Sequence, residues 1–474
     1  MFFVSNWLAG PFQNSPVPEV FPLLAQAAEV SEETAQTGPV ILAGVLLSLV
    51  VIYLASKLVG ELCARINLPP VLGELIGGVI VGVSALNLLV FPESSSHGGT
   101  DAFVIQFLES TAGLSPAAAP GVAEAIGEII SVLSEIGVII LLFEIGLESD
   151  LKELIRVGPQ AAIVAVVGVA VPFAAGTAGL IGLFGVPTIP AIFAGAALTA
   201  TSIGITAKVL AEIQQLSSKE GQIIIGAAVL DDILGIIVLA VVASLAKTGE
   251  IQISNIIYLI VGAAVFLIGS ILLGRFLSPF FVALVDRMQT RGQLLISSLI
   301  FAFVLAYIGA VIQLEAILGA FAAGLVLAET EKQKELEEQV LPIADMLVPI
   351  FFVVVGAKTD VSVLNPLDPA NREGLIMAAF LVVVAIIGKT VTGLMVFGQP
   401  GINRLAIGIG MVPRGEVGLV FAGVGSSLEI LSKPLEAAII VMVILTTFLA
   451  PPFLRLVFKE PETAEPIQNP SEGA

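Results

Sequence analysis

Long runs of apolar residues, separated by short polar or Gly/Pro-containing breaks, fill almost the whole chain. Because about 20 helical residues span a hydrocarbon core, each such run predicts one transmembrane helix. The runs lie at 39–58, 70–90, 126–147, 159–184, 189–209, 222–246, 254–274, 293–313, 315–329, 342–357, 374–398, 403–427 and 436–456. The pattern predicts an all-α polytopic membrane protein with 13 transmembrane helices.

Composition supports this fold class, since 57% of the 474 residues are hydrophobic and only 12% are charged. Soluble domains carry about twice that charged fraction. A single cysteine, Cys63, excludes an internal disulfide, a cysteine-rich zinc site and an iron–sulfur cluster. No resident cofactor of any other kind is expected. The net charge of −19 makes a nucleic-acid partner unexpected. The one histidine, His97, is interpreted as an ordinary residue of a polar loop.

Basic residues predict the orientation, because cytoplasmic loops carry an excess of Lys and Arg. With the N-terminus outside, fourteen basic residues fall on the cytoplasmic side and four on the outer side. The cytoplasmic set is Lys57, Arg65, Lys152, Arg156, Lys208, Lys219, Arg275, Arg287, Arg291, Lys332, Lys334, Arg404, Arg455 and Lys459, and the outer set is Lys247, Lys358, Arg372 and Lys433. We therefore expect an outer leader at 1–38, in the periplasm or thylakoid lumen, and a short cytoplasmic tail at 459–474. No motif distinguishes a bacterial plasma membrane from a thylakoid membrane.

Charged residues of three predicted spans lie near the middle of the membrane, and they are Asp231, Asp232, Lys389, Arg414 and Glu416. A charge at this depth costs about 3 kcal/mol on insertion scales, and such residues usually line an ion or proton path. Three carboxylates face two cationic side chains, so one carboxylate is left over. In a buried site that carboxylate has to take up a proton or a cation.

Other interpretations of these charges stay open from the residues alone. They could form a buried ion-pair network that only holds helices together. An intramembrane aspartyl protease would need its aspartates on separate helices, one of them within a Gly-x-Gly-Asp stretch that this sequence lacks. A cation channel would need a continuous pore, whereas one carboxylate that can be occluded favours alternating access.

Two predicted spans contain residues that interrupt helices. Thr201 and Ser202 precede Gly204 in the fifth span, and the twelfth span holds Pro413 and Gly415. We expect both spans to unwind near the midplane, where carbonyl and hydroxyl oxygens suit a hard cation such as Na⁺. Spans two to six and nine to thirteen then form two inverted five-helix repeats with crossed broken helices, an arrangement typical of secondary transporters.

Seven segments carry a family resemblance: "LPPVLGELIGGVIVG", "LLFEIGLESDLKEL", "TATSIGITAKVL", "LDDILGIIVLA", "LEAILGAFAAGLVLAET", "IFFVVVGAKTD" and "MVPRGEVGLV". Together they resemble the monovalent cation:proton antiporter-2 family, close to its cyanobacterial and other bacterial sodium/proton antiporters. The segments follow one another in the family's order from residue 69 to about residue 420.

The resemblance implies the sodium/proton antiporter fold, a homodimer and an elevator-type transport cycle. It assigns 39–147 and 292–357 to a dimerisation domain, 159–246 and 374–458 to an ion-transporting core domain, and 254–291 to a linker helix and cytoplasmic connection. It also implies a secondary active transporter rather than an enzyme, with a role in pH and sodium homeostasis.

The resemblance further implies roles for individual residues. Asp232 is expected to carry the cation or proton, and Asp231 to pair with Lys389. Thr201 and Ser202 match positions that help to bind the transported Na⁺, while Arg414 and Glu416 match a charged pair beside the helix crossover. The paired aspartates resemble those of electrogenic exchangers. Na⁺ and H⁺, with Li⁺ as a further substrate, are the expected ions, and K⁺ and Ca²⁺ stay open as alternatives.

Overall fold

The computed structural model describes residues 20–91, 99–248, 253–312, 314–365, 367, 371–398 and 401–458. Side chains are described from residue 37 onward within these ranges, except at 247, 248, 255, 277 and 416. His97, the first part of the predicted leader and the predicted tail at 459–474 lie outside the described residues.

The described residues form sixteen α-helices and one short 3₁₀ turn, Val361–Leu364. The helices are α1 (Val20–Arg65), α2 (Pro70–Val81), α3 (Phe103–Thr111), α4 (Ala119–Glu148), α5 (Leu151–Phe184), α6 (Thr188–Ala197), α7 (Ile203–Glu212), α8 (Lys219–Thr248), α9 (Ile253–Arg287), α10 (Gln293–Val311), α11 (Ala316–Ala328), α12 (Gln333–Ala357), α13 (Arg372–Leu394), α14 (Arg404–Gly410), α15 (Glu416–Ser427) and α16 (Lys433–Val457). The predicted all-α fold class is confirmed.

Nine helices of the described part are long and apolar enough to cross a membrane. The other four predicted spans coincide with α2, α11 and the two helix pairs α6–α7 and α14–α15. The members of these pairs and the two single helices are each shorter than 18 residues. The count of thirteen spans therefore stays a prediction.

Several helices begin before the apolar run that predicted them. Helix α5 starts at Leu151 rather than at residue 159, because Asp150 caps its first turn. The Asp150 carboxylate accepts hydrogen bonds from the backbone N–H groups of Lys152, at 2.8 Å, and Glu153, at 3.2 Å. Such polar first turns are helical but do not belong to the apolar run, so hydropathy places the boundary too late.

Helix α2 ends at Val81, nine residues before the predicted end of the second span. A Cβ atom at Gly82 would lie 2.3 Å from the Cα of Ala357, so only glycine allows this close approach to α12. The next residue, Val83, donates its backbone N–H to the Ala357 carbonyl at 3.1 Å. The contact with α12 therefore turns the chain away from the helix axis.

The helices pack in two groups. In the first group, α4 packs against α11 and α12, and α2 packs against α1 and α12. In the second group, α5 packs against α6, α8 and α13, and α16 packs against α13 and α15. The short helix α7 contacts both groups, through α2 and α4 on one side and α8 and α16 on the other. The interrupted helix pair α6–α7 consequently lies at the boundary between the groups.

Candidate ion-binding site

Two helix pairs are interrupted by short non-helical segments. Leu198–Ser202 separates α6 from α7, and Met411–Gly415 separates α14 from α15. The second interruption lies where Pro413 predicts it. The first lies directly before Gly204, which is helical in α7, so the fifth span is interrupted as expected. The polar residues before Gly204, rather than the glycine itself, occupy the non-helical segment.

Hydrogen bonds between the two interruptions hold them side by side. The Ser202 backbone N–H donates to the Pro413 carbonyl at 2.9 Å. The Thr201 hydroxyl donates to the Met411 carbonyl at 3.0 Å, and the Thr206 hydroxyl donates to the Gly410 carbonyl at 2.9 Å. These bonds satisfy backbone groups that a helix interruption leaves without partners, which is a requirement for unwound backbone at membrane depth.

The Arg414 side chain also connects the two interrupted segments. Its side chain is fully buried. The guanidinium donates from Nη2 to the Leu198 carbonyl at 2.6 Å and from Nη1 to the Met411 carbonyl at 3.3 Å. Arg414 therefore bonds the backbone of both interruptions at once. Glu416 is the first residue of α15 and its side chain lies outside the described part of the structure, so the expected Arg414–Glu416 pair stays a prediction.

Asp231 of α8 and Lys389 of α13 form a buried ion pair. The Lys389 ammonium lies 3.2 Å from Oδ1 and 3.0 Å from Oδ2 of Asp231. Neither side chain is exposed. Helix α5 closes this pocket, since a Cβ atom at Gly168 would lie only 3.2 Å from the Lys389 ammonium. The geometry is that of a pair whose charges neutralise each other away from water.

Asp232 is the next residue of α8, but it has a different environment. Successive helical residues point about 100° apart, so the two aspartates face different neighbours. Asp232 is 3% exposed and lines a cavity of about 20 Å³. This cavity has room for roughly one water-sized particle. The other lining residues are Val138, Ala200, Thr201, Ser202, Ile203, Gly204, Glu315, Ile317, Phe351, Gly415 and Val417.

Thr201 and Ser202 line the same cavity as Asp232. A hydroxyl has one donor and two acceptor lone pairs. Because the Thr201 proton is directed to the Met411 carbonyl, the lone pairs of its oxygen are available to a ligand. A carboxylate and two hydroxyl oxygens around a cavity of this size suit a hard cation. The structure thus brings together three of the residues predicted to bind the ion.

The sequence did not identify the opposite wall of the cavity. Val138 of α4, Phe351 of α12 and Glu315, which precedes α11, belong to the other packing group. Two of them are ordinary apolar residues of long spans, which carry no signal of a site. Glu315 gave the one available signal, because it is an acidic residue in a tight turn between two apolar runs.

Comparisons with known proteins agree on one family. The profile of a family described as "sodium/hydrogen exchanger, transmembrane" matches residues 39–460. The chain is 69% identical over 463 residues to the high-affinity Na⁺/H⁺ antiporter NhaS3 of Synechocystis sp.. The aligned region spans 97% of this chain and 100% of that relative. It is also 32% identical over 411 residues to the Na⁺/H⁺-K⁺ antiporter GerN of Bacillus cereus, spanning 86% of this chain and 94% of the relative.

A solved structure agrees with the fold. The sodium proton antiporter MjNhaP1 from Methanocaldococcus jannaschii superposes with a TM-score of 0.58, covering 88% of this chain and 96% of that chain. The two sequences are only 16% identical, so this likeness concerns the fold alone.

Proposed function

The chain belongs to the sodium/hydrogen exchanger family, and on that premise we propose that it exchanges Na⁺ for H⁺ across its membrane with Asp232 as the carrier. Its relatives are transporters rather than enzymes, and Na⁺ and H⁺ are their substrates rather than cofactors. The observation that carries the proposal is the different surroundings of two adjacent aspartates. Asp231 pairs with Lys389, whereas Asp232 faces a cavity that Thr201 and Ser202 also line.

Competition between Na⁺ and H⁺ for the Asp232 carboxylate would couple the transport of one ion to that of the other. Asp232 holds either a proton or a Na⁺ ion, and Thr201 and Ser202 contribute oxygens to the Na⁺-bound state. The empty carboxylate crosses poorly, because its unbalanced charge is costly in a low-dielectric environment. Each Na⁺ that Asp232 carries in one direction therefore requires one proton to return on the same carboxylate in the other direction.

We propose an elevator cycle for alternating access. The carrier and the two hydroxyl residues belong to the packing group of 159–246 and 374–458, which would form the moving core. Val138, Glu315 and Phe351 line the same cavity from the other group, which would form the static part and the homodimer interface. A site at such a boundary changes its exposure when one group slides past the other.

Orientation, charge balance and substrate range complete the proposal. The distribution of basic residues supports an outer N-terminus and a cytoplasmic C-terminus, in a plasma or thylakoid membrane. Electrogenic exchange rests on the resemblance of the paired aspartates to those of electrogenic exchangers, and it requires a second proton-binding group in addition to Asp232. Li⁺ fits the same hard oxygen ligands as Na⁺. K⁺ is the second candidate substrate, because the relative GerN is named as a Na⁺/H⁺-K⁺ antiporter.

Purified protein in liposomes with an imposed pH gradient tests the proposal. Addition of Na⁺ is expected to collapse the gradient in the wild type and not in Asp232→Asn. The matched control, Asp345→Asn, alters an exposed aspartate of α12 and is expected to retain exchange. The half-saturating Na⁺ concentration should rise as the pH falls, by up to about tenfold per pH unit where protons compete directly.

The same assay separates the finer points. Parallel additions of Li⁺ and K⁺ define the substrate range, and dependence of the rate on an imposed membrane potential establishes electrogenic exchange. Full exchange by Asp232→Asn would contradict the assignment of the carrier. Absence of collapse with Na⁺, Li⁺ and K⁺ in the wild type would contradict monovalent cation exchange itself.

A further inference from the structure

Glu315 lies beside two cavities. It follows α10 and directly precedes α11, where its backbone is extended and its side chain makes no capping hydrogen bond to the helix. The residue is half-buried. It lines the small cavity around Asp232 and also a wider neighbouring cavity of about 460 Å³. Its position therefore links the carrier site to a larger space.

The boundary between the two cavities is mostly apolar. Four residues line both of them: Val138, Glu315, Ile317 and Phe351. Three of these side chains offer no polar atom to an ion. An ion that moves from the wide cavity to Asp232 passes this boundary, and among its described residues Glu315 alone can replace water ligands with side-chain oxygens.

The other charged groups of the wide cavity are Glu135 of α4 and Lys358, which follows α12. Glu135 is exposed and interacts electrostatically with Glu315. The Lys358 ammonium is held 3.0 Å from the Ser131 hydroxyl and 5.6 Å from the centre of the Phe91 ring. Neither residue lines the small cavity, so Glu315 is the charged side chain that the two spaces share.

We propose that Glu315 is the entry residue for the cation on the face where the wide cavity lies, which is the outer face in the predicted orientation. A carboxylate at an apolar constriction attracts a cation and compensates for part of its lost hydration. Glu315 directly precedes α11, which packs in the group that lacks Asp232. In the elevator cycle, Glu315 can therefore pass a cation to Asp232 only when the moving core faces this cavity. The inference rests on the proposed cation exchange by Asp232.

The test measures the half-saturating Na⁺ concentration and the maximal rate separately on each face, in right-side-out and inside-out vesicles. Glu315→Gln is expected to raise the half-saturating concentration on the outer face by roughly 3- to 10-fold, with a smaller change on the inner face. The maximal rate should change by less than about twofold, since the carrier itself is intact. Glu315→Asp keeps the charge and is expected to restore most of the affinity.

Glu109→Gln is the matched control, because Glu109 is an exposed residue of α3 that lines neither cavity. It should behave as the wild type. An unchanged half-saturating concentration in Glu315→Gln would overturn the proposal, as would a loss of maximal rate with unaltered affinity on both faces. Failure of the exchange function itself is distinguishable, since the wild type and Glu109→Gln would then also be inactive.

Discussion

The Lys389 ammonium lies 3.0 Å from Oδ2 of Asp231, and both side chains are completely buried. This pair leaves the adjacent Asp232 on another face of α8, at the cavity formed with Thr201 and Ser202. The charges of Asp231 and Lys389 compensate each other, so what Asp232 binds changes the net charge of the cavity, which Glu315 also lines. In the proposed function, one aspartate of the doublet therefore has a structural role and the other carries the ion.

The ion pair is expected to stabilise the second packing group. Lys389→Ala and Asp231→Asn should each lower the free energy of unfolding by about 3–5 kcal/mol, because each leaves one partner buried without its counter-charge. Thermal unfolding in detergent would register this as a lower midpoint temperature. The double variant Asp231→Asn/Lys389→Met should recover part of the loss, since no uncompensated charge remains.

Wild-type midpoints for both single variants would contradict a stabilising role. Additive losses in the double variant would show that the two side chains act independently, despite their contact.

Thr201 and Thr206 form a matched pair of tests. The Thr201 hydroxyl donates to the Met411 carbonyl, and the Thr206 hydroxyl donates to the Gly410 carbonyl. Only Thr201 lines the cavity around Asp232. Thr201→Val and Thr206→Val should therefore cost similar stability, about 1–3 kcal/mol, because each leaves a buried carbonyl without a donor. Thr201→Val alone should also raise the half-saturating Na⁺ concentration, by roughly tenfold.

The measurement is Na⁺-dependent exchange in liposomes, combined with thermal unfolding. Thr201→Ser is expected to preserve Na⁺ affinity. Equal affinities in Thr201→Val and Thr206→Val would argue that the Thr201 oxygen does not contact the ion.

A side chain at Gly415 is expected to displace Ser202. A Cβ atom there would lie 2.8 Å from the Ser202 Oγ and 3.0 Å from its Cβ, at the wall of the cavity. Gly415→Ala should displace Ser202, lower the exchange rate and cost about 1–3 kcal/mol of stability. Gly423→Ala in α15 is the control, since nothing lies within 4 Å of its Cβ position.

The two variants are compared by initial exchange rate and by unfolding midpoint. Gly423→Ala should be neutral or more stable by up to about 1 kcal/mol, because alanine favours the helix. Similar losses in both variants would mean that contact with Ser202 is not the cause.

Hydropathy predicted the helical regions well because every lipid-spanning segment has to be apolar. It placed boundaries less well, since Asp150 caps α5 and Gly82 packs on Ala357 through contacts that a single segment does not encode. The interruption at Pro413 was predictable because proline removes a local backbone donor. The interruption at Leu198–Ser202 depends instead on hydrogen bonds to residues more than 200 positions away.

The candidate site was likewise predictable only in part from the sequence. The depth of the two aspartates and of Lys389 in their spans predicted that these opposite charges lie near one another, and the family resemblance implied that Asp231 is the partner of Lys389. The contribution of Glu315, Val138 and Phe351 depends on how two groups of helices pack. Their positions in the sequence contain no periodicity or motif that would specify this contact.

The guanidinium bond from Arg414 to the Leu198 carbonyl joins residues 216 positions apart. During synthesis, at about 5–20 residues per second, the α6–α7 interruption is therefore made roughly 10–40 s before Arg414. Over that interval the bonds to Met411 and from Arg414, which hold residues 198–202 in their unwound form, do not yet exist. The first interruption therefore reaches its final geometry only after the second half of the chain has been made.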